Sequence, residues 1–161
     1  MKLCHGSNVV VDQPEIAKGK PFKDFGRGFY LSDTVDQAME MAERVAERYG
    51  VGQTPVVSTF EFDESAMTDG TLKVKRFETY TEEWAEFVLH NRDRKASQPY
   101  HDYDIVYGHI ADDGVVRQMR RFEIGAITLK ELMQELQYPP KITFQYFFGS
   151  ERALEKLKFL C

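Results

Sequence analysis

Hydrophobic positions recur along this chain with two periods, and they divide it into short strands and amphipathic helices. Lys2 to His5 reads as a first strand that stops at Gly6-Ser7-Asn8. Asp12 to Asp24, punctuated by Pro14, Gly19 and Pro21, reads as a loop, and Gly26-Arg27-Gly28 leads into the apolar stretch Phe29-Tyr30-Leu31, a second strand. Val35, Ala38, Ala42, Val45 and Tyr49 share one helical face, which predicts a helix over Thr34 to Tyr49. Ser32-Asp33-Thr34 supplies its capping side chains, and Gly50 and Gly52 end it.

The pattern then turns to period two. Val56, Ser58, Phe60 and Phe62 lie on one face of a strand, and Leu72 and Val74 alternate with Lys73 and Lys75 in another. Thr81 caps a predicted helix carrying Trp84, Phe87 and Val88. Asp104 to Ile110 reads as a strand, and Thr128 with Glu131 forms a capping box for a helix with Leu129, Leu132, Met133 and Leu136. Pro139-Pro140 breaks that helix and Lys141 to Phe148 is a last strand. Ser150 then caps a predicted helix with Ala153, Leu154, Leu157 and Leu160. Strands and helices mix without regular βαβ alternation, so the expected class is α+β in a single domain over residues 1–161.

Composition narrows the function. Among 161 residues, 42% are apolar and 13% aromatic, enough for a real core, which excludes global disorder. No apolar run approaches the roughly 20 residues that cross a bilayer, and the polar start Met-Lys-Leu-Cys-His is no signal peptide, so a cytoplasmic protein without membrane contact is expected. With 21 basic against 26 acidic residues the net charge is -5, which argues against a dedicated nucleic-acid coat. Cys4 and Cys161 form neither a disulfide framework nor a metal pair.

Several chemical readings fail on spacing. Gly26-x-Gly28 precedes its strand, and Leu31 stands where a dinucleotide fingerprint needs a third glycine. His101, Asp102, Asp104, His109, Asp112 and Asp113 match no closed zinc set, and Asp112-Asp113-Gly114 reads more simply as a turn; no metal is expected. Cys4 and His5 are consecutive on a strand and point to opposite faces, so they cannot act as nucleophile and base. Arg117, Arg120 and Arg121 lie close together and read as a solvated helix face or a phosphate grip.

Three segments taken together resemble the ADP-ribosyltransferase superfamily, in particular the branch of poly(ADP-ribose) polymerases and diphtheria-like toxins. Leu3-Cys4-His5-Gly6-Ser7 is similar to that branch's first-strand His-Gly-Ser/Thr. Gly26-Arg27-Gly28-Phe29-Tyr30-Leu31-Ser32-Asp33 is similar to its Gly-x-Gly-Ile-Tyr-Phe-x-Asp, and Phe144-Gln145-Tyr146-Phe147-Phe148 stands where the branch carries Glu-Tyr-aliphatic. The resemblance implies two small, mostly antiparallel sheets around a cleft for NAD+, with flanking helices and no metal. It implies mono-ADP-ribosyl transfer to a macromolecule; the negative net charge favours protein over nucleic acid as acceptor, although Lys73, Lys75 and Arg76 form a local basic strip. Bacterial members of such families act as toxins or in phage conflict, which implies an antitoxin or immunity partner.

The resemblance also implies residue roles. His5 would bind the adenine-side ribose, Gly6 the nicotinamide amide through its backbone, and Ser7 would add a hydroxyl. Tyr30 would stack on nicotinamide, with Gly28 beside it and Ala38 and Met41 on the following helix closing the wall. Gln145 would reach the nicotinamide ribose, so His5, Tyr30 and Gln145 are the expected catalytic set. Gln145 stands where the branch has a glutamate, which disfavours chain elongation. Glu123 and Asp104 remain as candidates for a hidden acid. Read singly, His5 is a satisfied strand-end histidine, Tyr30 a core aromatic and Gln145 an edge-strand amide. The corresponding alternative functions are a module that binds NAD+ or ADP-ribose without turnover, and a plain interaction domain.

Overall fold

The computed structural model describes residues 1–137 and 143–161. Among the described residues, seven strands and five α-helices follow in the order β1 (Lys2–Ser7), β2 (Phe29–Leu31), α1 (Val35–Tyr49), β3 (Val56–Phe62), β4 (Val74–Arg76), α2 (Glu82–Arg92), β5 (Ile105–His109), α3 (Asp113–Glu123), α4 (Leu129–Leu136), β6 (Phe144–Phe148), α5 (Glu151–Leu154) and β7 (Leu157–Phe159). One sheet has the order β1-β3-β7 and is wholly antiparallel. The other has the order β2-β6-β5-β4, antiparallel except for the β4–β5 pair. The class is α+β, as the mixed periodicity predicts, and the strands form two small sheets.

Strand alternation sorts the side chains into layers. Leu3, Phe60 and Phe62 of the first sheet share a buried core with Phe29, Leu31, Ile105, Tyr146 and Phe148 of the second. On the opposite face of the second sheet, Val106 and Phe147 join Phe25, Phe77 and the buried residues of α2, α3 and α4. Helix α1 lies on the outer face of the first sheet through Ala38, Ala42 and Ala46. A β-carbon on Gly6 would come within 1.9 Å of the Ala38 carbonyl oxygen and 2.7 Å of the Ala42 nitrogen. The alanine stripe and the glycine together let helix and strand backbones nearly touch.

The two sheets are tied by one isolated bridge. Cys4 N–H donates to Ser32 O at 2.7 Å and Ser32 N–H to Cys4 O at 2.8 Å. A second clamp is the buried Asp104. Its Oδ1 accepts from Ser150 Oγ (2.5 Å) and Arg152 Nε (3.0 Å), and its Oδ2 from Lys73 N (2.7 Å) and Arg152 Nη2 (2.6 Å). Burial alone would raise the Asp104 carboxyl, but these donors outweigh it and hold it below its ordinary value.

Four expectations need correction. Lys2 to His5 extends to Ser7 as strand, because register with Val57 and Val56 continues. Leu72 and Lys73 precede β4 and only Val74–Arg76 pairs. Asp112 is the N-cap of α3, its Oδ1 accepting from Val115 N at 2.9 Å, so the segment read as a turn begins a helix. The last predicted helix stops at Leu154; Leu157–Phe159 forms β7, because the free edge of β3 needs a partner. The Thr81 cap and the Thr128–Glu131 capping box form as read. Pro139-Pro140 and Lys141-Ile142 lie outside the described residues. No helix among the described residues is long and apolar enough to cross a membrane.

The glycine contact yields a direct test. Gly6→Ala should lower unfolding free energy by about 3 kcal/mol, the upper range of an overpacked core, because the atoms it meets are backbone and cannot rotate away. Urea denaturation measures it, and wild-type stability in the variant would show that α1 does not sit this close to β1.

Candidate functional site

His5, Tyr30 and Gln145 come from three strands: His5 reaches the Tyr30 backbone, and Tyr30 and Gln145 share one face of the second sheet. The Cys4–Ser32 bridge sets β1 beside β2, and His5 turns inward from β1 toward Phe29, ring centroids 4.4 Å apart. Its Nδ1 lies 2.8 Å from Tyr30 O. A carbonyl only accepts, so Nδ1 carries the proton and neutral Nε2 presents a lone pair. Burial pushes the His5 imidazole below its ordinary value, only partly offset by that hydrogen bond, which favours this neutral form.

Tyr30 pairs with Phe147 across the β2–β6 ladder, and alternation puts Gln145, two residues before Phe147, on the same sheet face. The segment 24–26 crosses that face. Tyr30 Oη donates to Gly26 O at 2.7 Å and accepts from Phe25 N at 3.0 Å. Burial, and next the Asp24 charge, push the Tyr30 phenol well above its ordinary value, so it stays a donor. Its ring packs edge-on against Phe147 at 5.2 Å, with the Lys23 ammonium 5.7 Å from its centroid. Tyr30 is therefore half-buried and hydrogen-bonded at its tip, more enclosed than a free stacking platform.

Gln145 is buried, and its Nε2 donates to Asp24 Oδ2 at 3.0 Å. The same carboxylate oxygen accepts from Ala111 N at 3.0 Å, while Oδ1 faces Arg92 Nη1 at 3.4 Å. Gln145 Oε1 has no protein partner among the described residues. The segment itself is anchored by Phe25, which is fully buried, and by His101, whose Nε2 bonds Phe25 O at 2.7 Å while Nδ1 accepts from Tyr103 N at 3.0 Å. Asp24 carried no sequence signal beyond closing the loop from Asp12. Only its contact with Gln145 reveals it.

The other expected site residues divide. Cys4 bonds Ser32 away from β3, so Gly6, two residues on, also turns its N–H and C=O away from β3, on the side of β2. Ser7 is half-buried at the end of β1. Met41 is exposed on α1, one turn beyond Gln37, whose Nε2 donates to Phe144 O at 2.8 Å beside Gln145. Gly28 and Ala38 are closely packed against protein. A β-carbon on Gly28 would meet the Phe147 ring at 2.3 Å, and Ala38 is buried against Gly6.

The remaining candidates lie elsewhere. Asp104 is saturated by Arg152 and Ser150, and Glu123 is exposed at the end of α3. The basic strip is matched charge for charge: Lys73 pairs with Asp102, Lys75 with Glu83, and Arg76 Nε with Glu78 Oε1 at 2.9 Å. Arg117, Arg120 and Arg121 line an open depression of about 690 Å³ on α3, and Met1, Glu61 and Lys158 border another of about 410 Å³. Neither shares a residue with the His5–Tyr30–Gln145 set. Among the described residues no group of three or more His, Cys, Asp or Glu side chains converges as a metal site would.

The chain belongs to the family described as "Protein of unknown function (DUF3990)", whose profile matches residues 1–159. Comparison with curated proteins returned no match.

Three histidines make stability depend on pH. Burial lowers His5, His101 and His109 below their ordinary value near 6.5. Above that value they are neutral folded or unfolded. As pH falls through it, the unfolded chain binds protons that the folded chain refuses, so stability drops toward the lowered folded values. Denaturation midpoints should be flat from pH 8 to 7 and decline below about 6.5. His101→Gln should flatten part of that decline, since protonating Nδ1 destroys its bond from Tyr103 N. A midpoint that rises on acidification would contradict the buried neutral histidines.

Proposed function

We propose that this chain is a mono-ADP-ribosyltransferase that uses NAD+ as donor, releases nicotinamide and modifies a macromolecular acceptor. The observation that carries the reading is a pair of acceptor atoms fixed from behind. His5 Nε2 is left as a lone pair by the Nδ1 bond to Tyr30 O, and Gln145 Oε1 is left without a partner among the described residues once Nε2 is bonded to Asp24. Ribose hydroxyls are donors, so this pair suits a sugar-rich ligand that presents two diols. Gly6 adds backbone N–H and C=O on the β2 side, a donor and an acceptor of the kind a carboxamide requires.

The chemistry follows from that arrangement. Cleaving the bond between ribose C1′ and the nicotinamide nitrogen sends the electron pair to the pyridinium ring, which leaves neutral. Positive charge builds on the ribose until an acceptor nucleophile bonds to C1′ and loses its proton. Gln145 Oε1, accepting from a ribose hydroxyl, orients the sugar and directs the negative end of a dipole toward that charge. His5 acts in binding at the other ribose. Tyr30 holds the segment 24–26 against the sheet through its hydroxyl and offers ring surface beside the site. An amide stabilises charge less than a carboxylate would, which favours single transfers over elongation. The same Gln145 amide supports a second reading, in which the cleft binds NAD+ or ADP-ribose without cleaving it.

Incubation with NAD+ labelled in the adenylate half and with lysate of a bacterial host separates the two. Transfer predicts labelled macromolecule together with free nicotinamide, and a binding module predicts calorimetric heat without nicotinamide. His5→Ala should weaken NAD+ affinity about tenfold, equivalent to one lost hydrogen bond of roughly 1.4 kcal/mol. Gln145→Ala should cut kcat for nicotinamide release about tenfold or more while KM changes little, because its contact strengthens as charge develops. Wild-type turnover in Gln145→Ala would remove that residue from the reaction.

A further inference from the structure

Gln145 does not stand alone where a carboxylate would do the chemistry, because a carboxylate stands directly behind it. Asp24 Oδ2 is 3.0 Å from Gln145 Nε2, both residues are buried, and they lie 121 residues apart in sequence. Asp24 is held from three other directions. Ala111 N donates to the same oxygen, Arg92 faces the other one, and the neighbouring Phe25 is locked by its bonds to Tyr30 and His101.

We propose that Asp24 is the positioning residue for Gln145, and that the two side chains together replace the single carboxylate of a glutamate-bearing site. This rests on the transferase reading above. Two consequences of the contact make it more than a structural tie. The first is orientation. A terminal amide has a broad, roughly two-fold torsion, so a free glutamine would present oxygen or nitrogen to a ligand about equally. A carboxylate accepts and does not donate, so the bond to Asp24 selects Nε2 for the inside and leaves Oε1 outside. The second is charge. A negative group hydrogen-bonded to the amide N–H polarises the amide, and electron density moves toward Oε1, the atom facing the developing positive charge. The formal charge sits one residue deeper, with Arg92 balancing it, so no unpaired ion is buried at the reacting sugar.

Asp24 touches no substrate in this arrangement and acts only through Gln145, which makes the proposal testable by a double-variant cycle. The proteins are wild type, Asp24→Asn, Asp24→Ala, Gln145→Ala and Asp24→Asn/Gln145→Ala, each checked by thermal denaturation. The readouts are kcat and KM for nicotinamide release from NAD+, with calorimetric affinity alongside. Asp24→Asn keeps an acceptor oxygen for Ala111 N and Gln145 but removes the charge. It should lower kcat about tenfold with KM within about threefold. Asp24→Ala also removes the orientation and should fall further; if it does not fold, the asparagine variant carries the test. In the double variant the asparagine should add no loss beyond Gln145→Ala.

The outcomes separate cleanly. If the wild-type chain releases no nicotinamide in the presence of lysate, the transferase reading fails and takes this proposal with it. If wild type turns over but Asp24→Asn keeps its kcat, the reading stands and Asp24 is only structural. If the asparagine loss multiplies fully onto Gln145→Ala, Asp24 acts by another route and the proposal is overturned.

Discussion

Two backbone hydrogen bonds, between Cys4 and Ser32, are the contact on which the rest of the arrangement depends. Each sheet has its own internal ladder, and nothing in those ladders determines how one sheet sits on the other. The bridge does, by bringing the edge of β1 against the end of β2. It thereby seals the core in which Leu3, Phe60 and Phe62 meet Phe29, Tyr146 and Phe148, and it sets His5 within hydrogen-bond reach of Tyr30. Backbone bonds suit this task, because they are directional and tolerate almost no lateral slip once buried. The glycine and alanine contacts between β1 and α1 then hold the bridged strand from its other side.

The segment 24–26 is the second organiser. It is irregular backbone lying over a sheet face, a position that normally leaves polar groups unsatisfied. Here Tyr30 Oη answers Phe25 N and Gly26 O, His101 answers Phe25 O, and the Asp24 side chain answers Ala111 N and Gln145. Gly26 takes a positive φ of 90°, and Gly28 lies flat on Phe147, so both glycines serve the path of this segment. The residues that line the candidate site are thus the same ones that hold the loop in place. Structural and chemical demands fall on one hydrogen-bond network.

The site that results is built from neutral groups with charge set behind them. His5 is held neutral by burial, Tyr30 stays protonated, and Gln145 carries no charge, while Asp24 and Arg92 sit one layer deeper. Such a layout directs fixed dipoles outward without leaving an unpaired ion in a low-dielectric setting. In the basic strip at and just before β4, each cation is paired with its own acid.

Local pattern alone determined the mixed α+β class, the span of helix α1, and the caps at Thr81 and Thr128, because these depend on neighbours three or four residues away. The burial of Ala38, Ala42 and Ala46, with Val35 and Tyr49 left exposed, was decided by packing. The His5, Tyr30 and Gln145 motifs were legible as residue types in order. Other features were not. Leu154, Leu157 and Leu160 satisfy helical spacing, while Leu157-Lys158-Phe159 satisfies strand alternation equally well. The unpaired edge of β3 decides between them, through bonds such as Leu160 N to Thr59 O. Asp112-Asp113-Gly114 carries turn chemistry that also starts a helix, and burial of Val115 and Met119 selects the helix. The close approach of Phe147 to Gly28 and of β1 to Ala38 was not legible in the sequence, because only packing reveals which group lies against a small residue. The Asp24–Gln145 contact spans 121 residues. No local pattern encodes such a distance, because it exists only once two sheets, a bridge and a crossing loop have folded together.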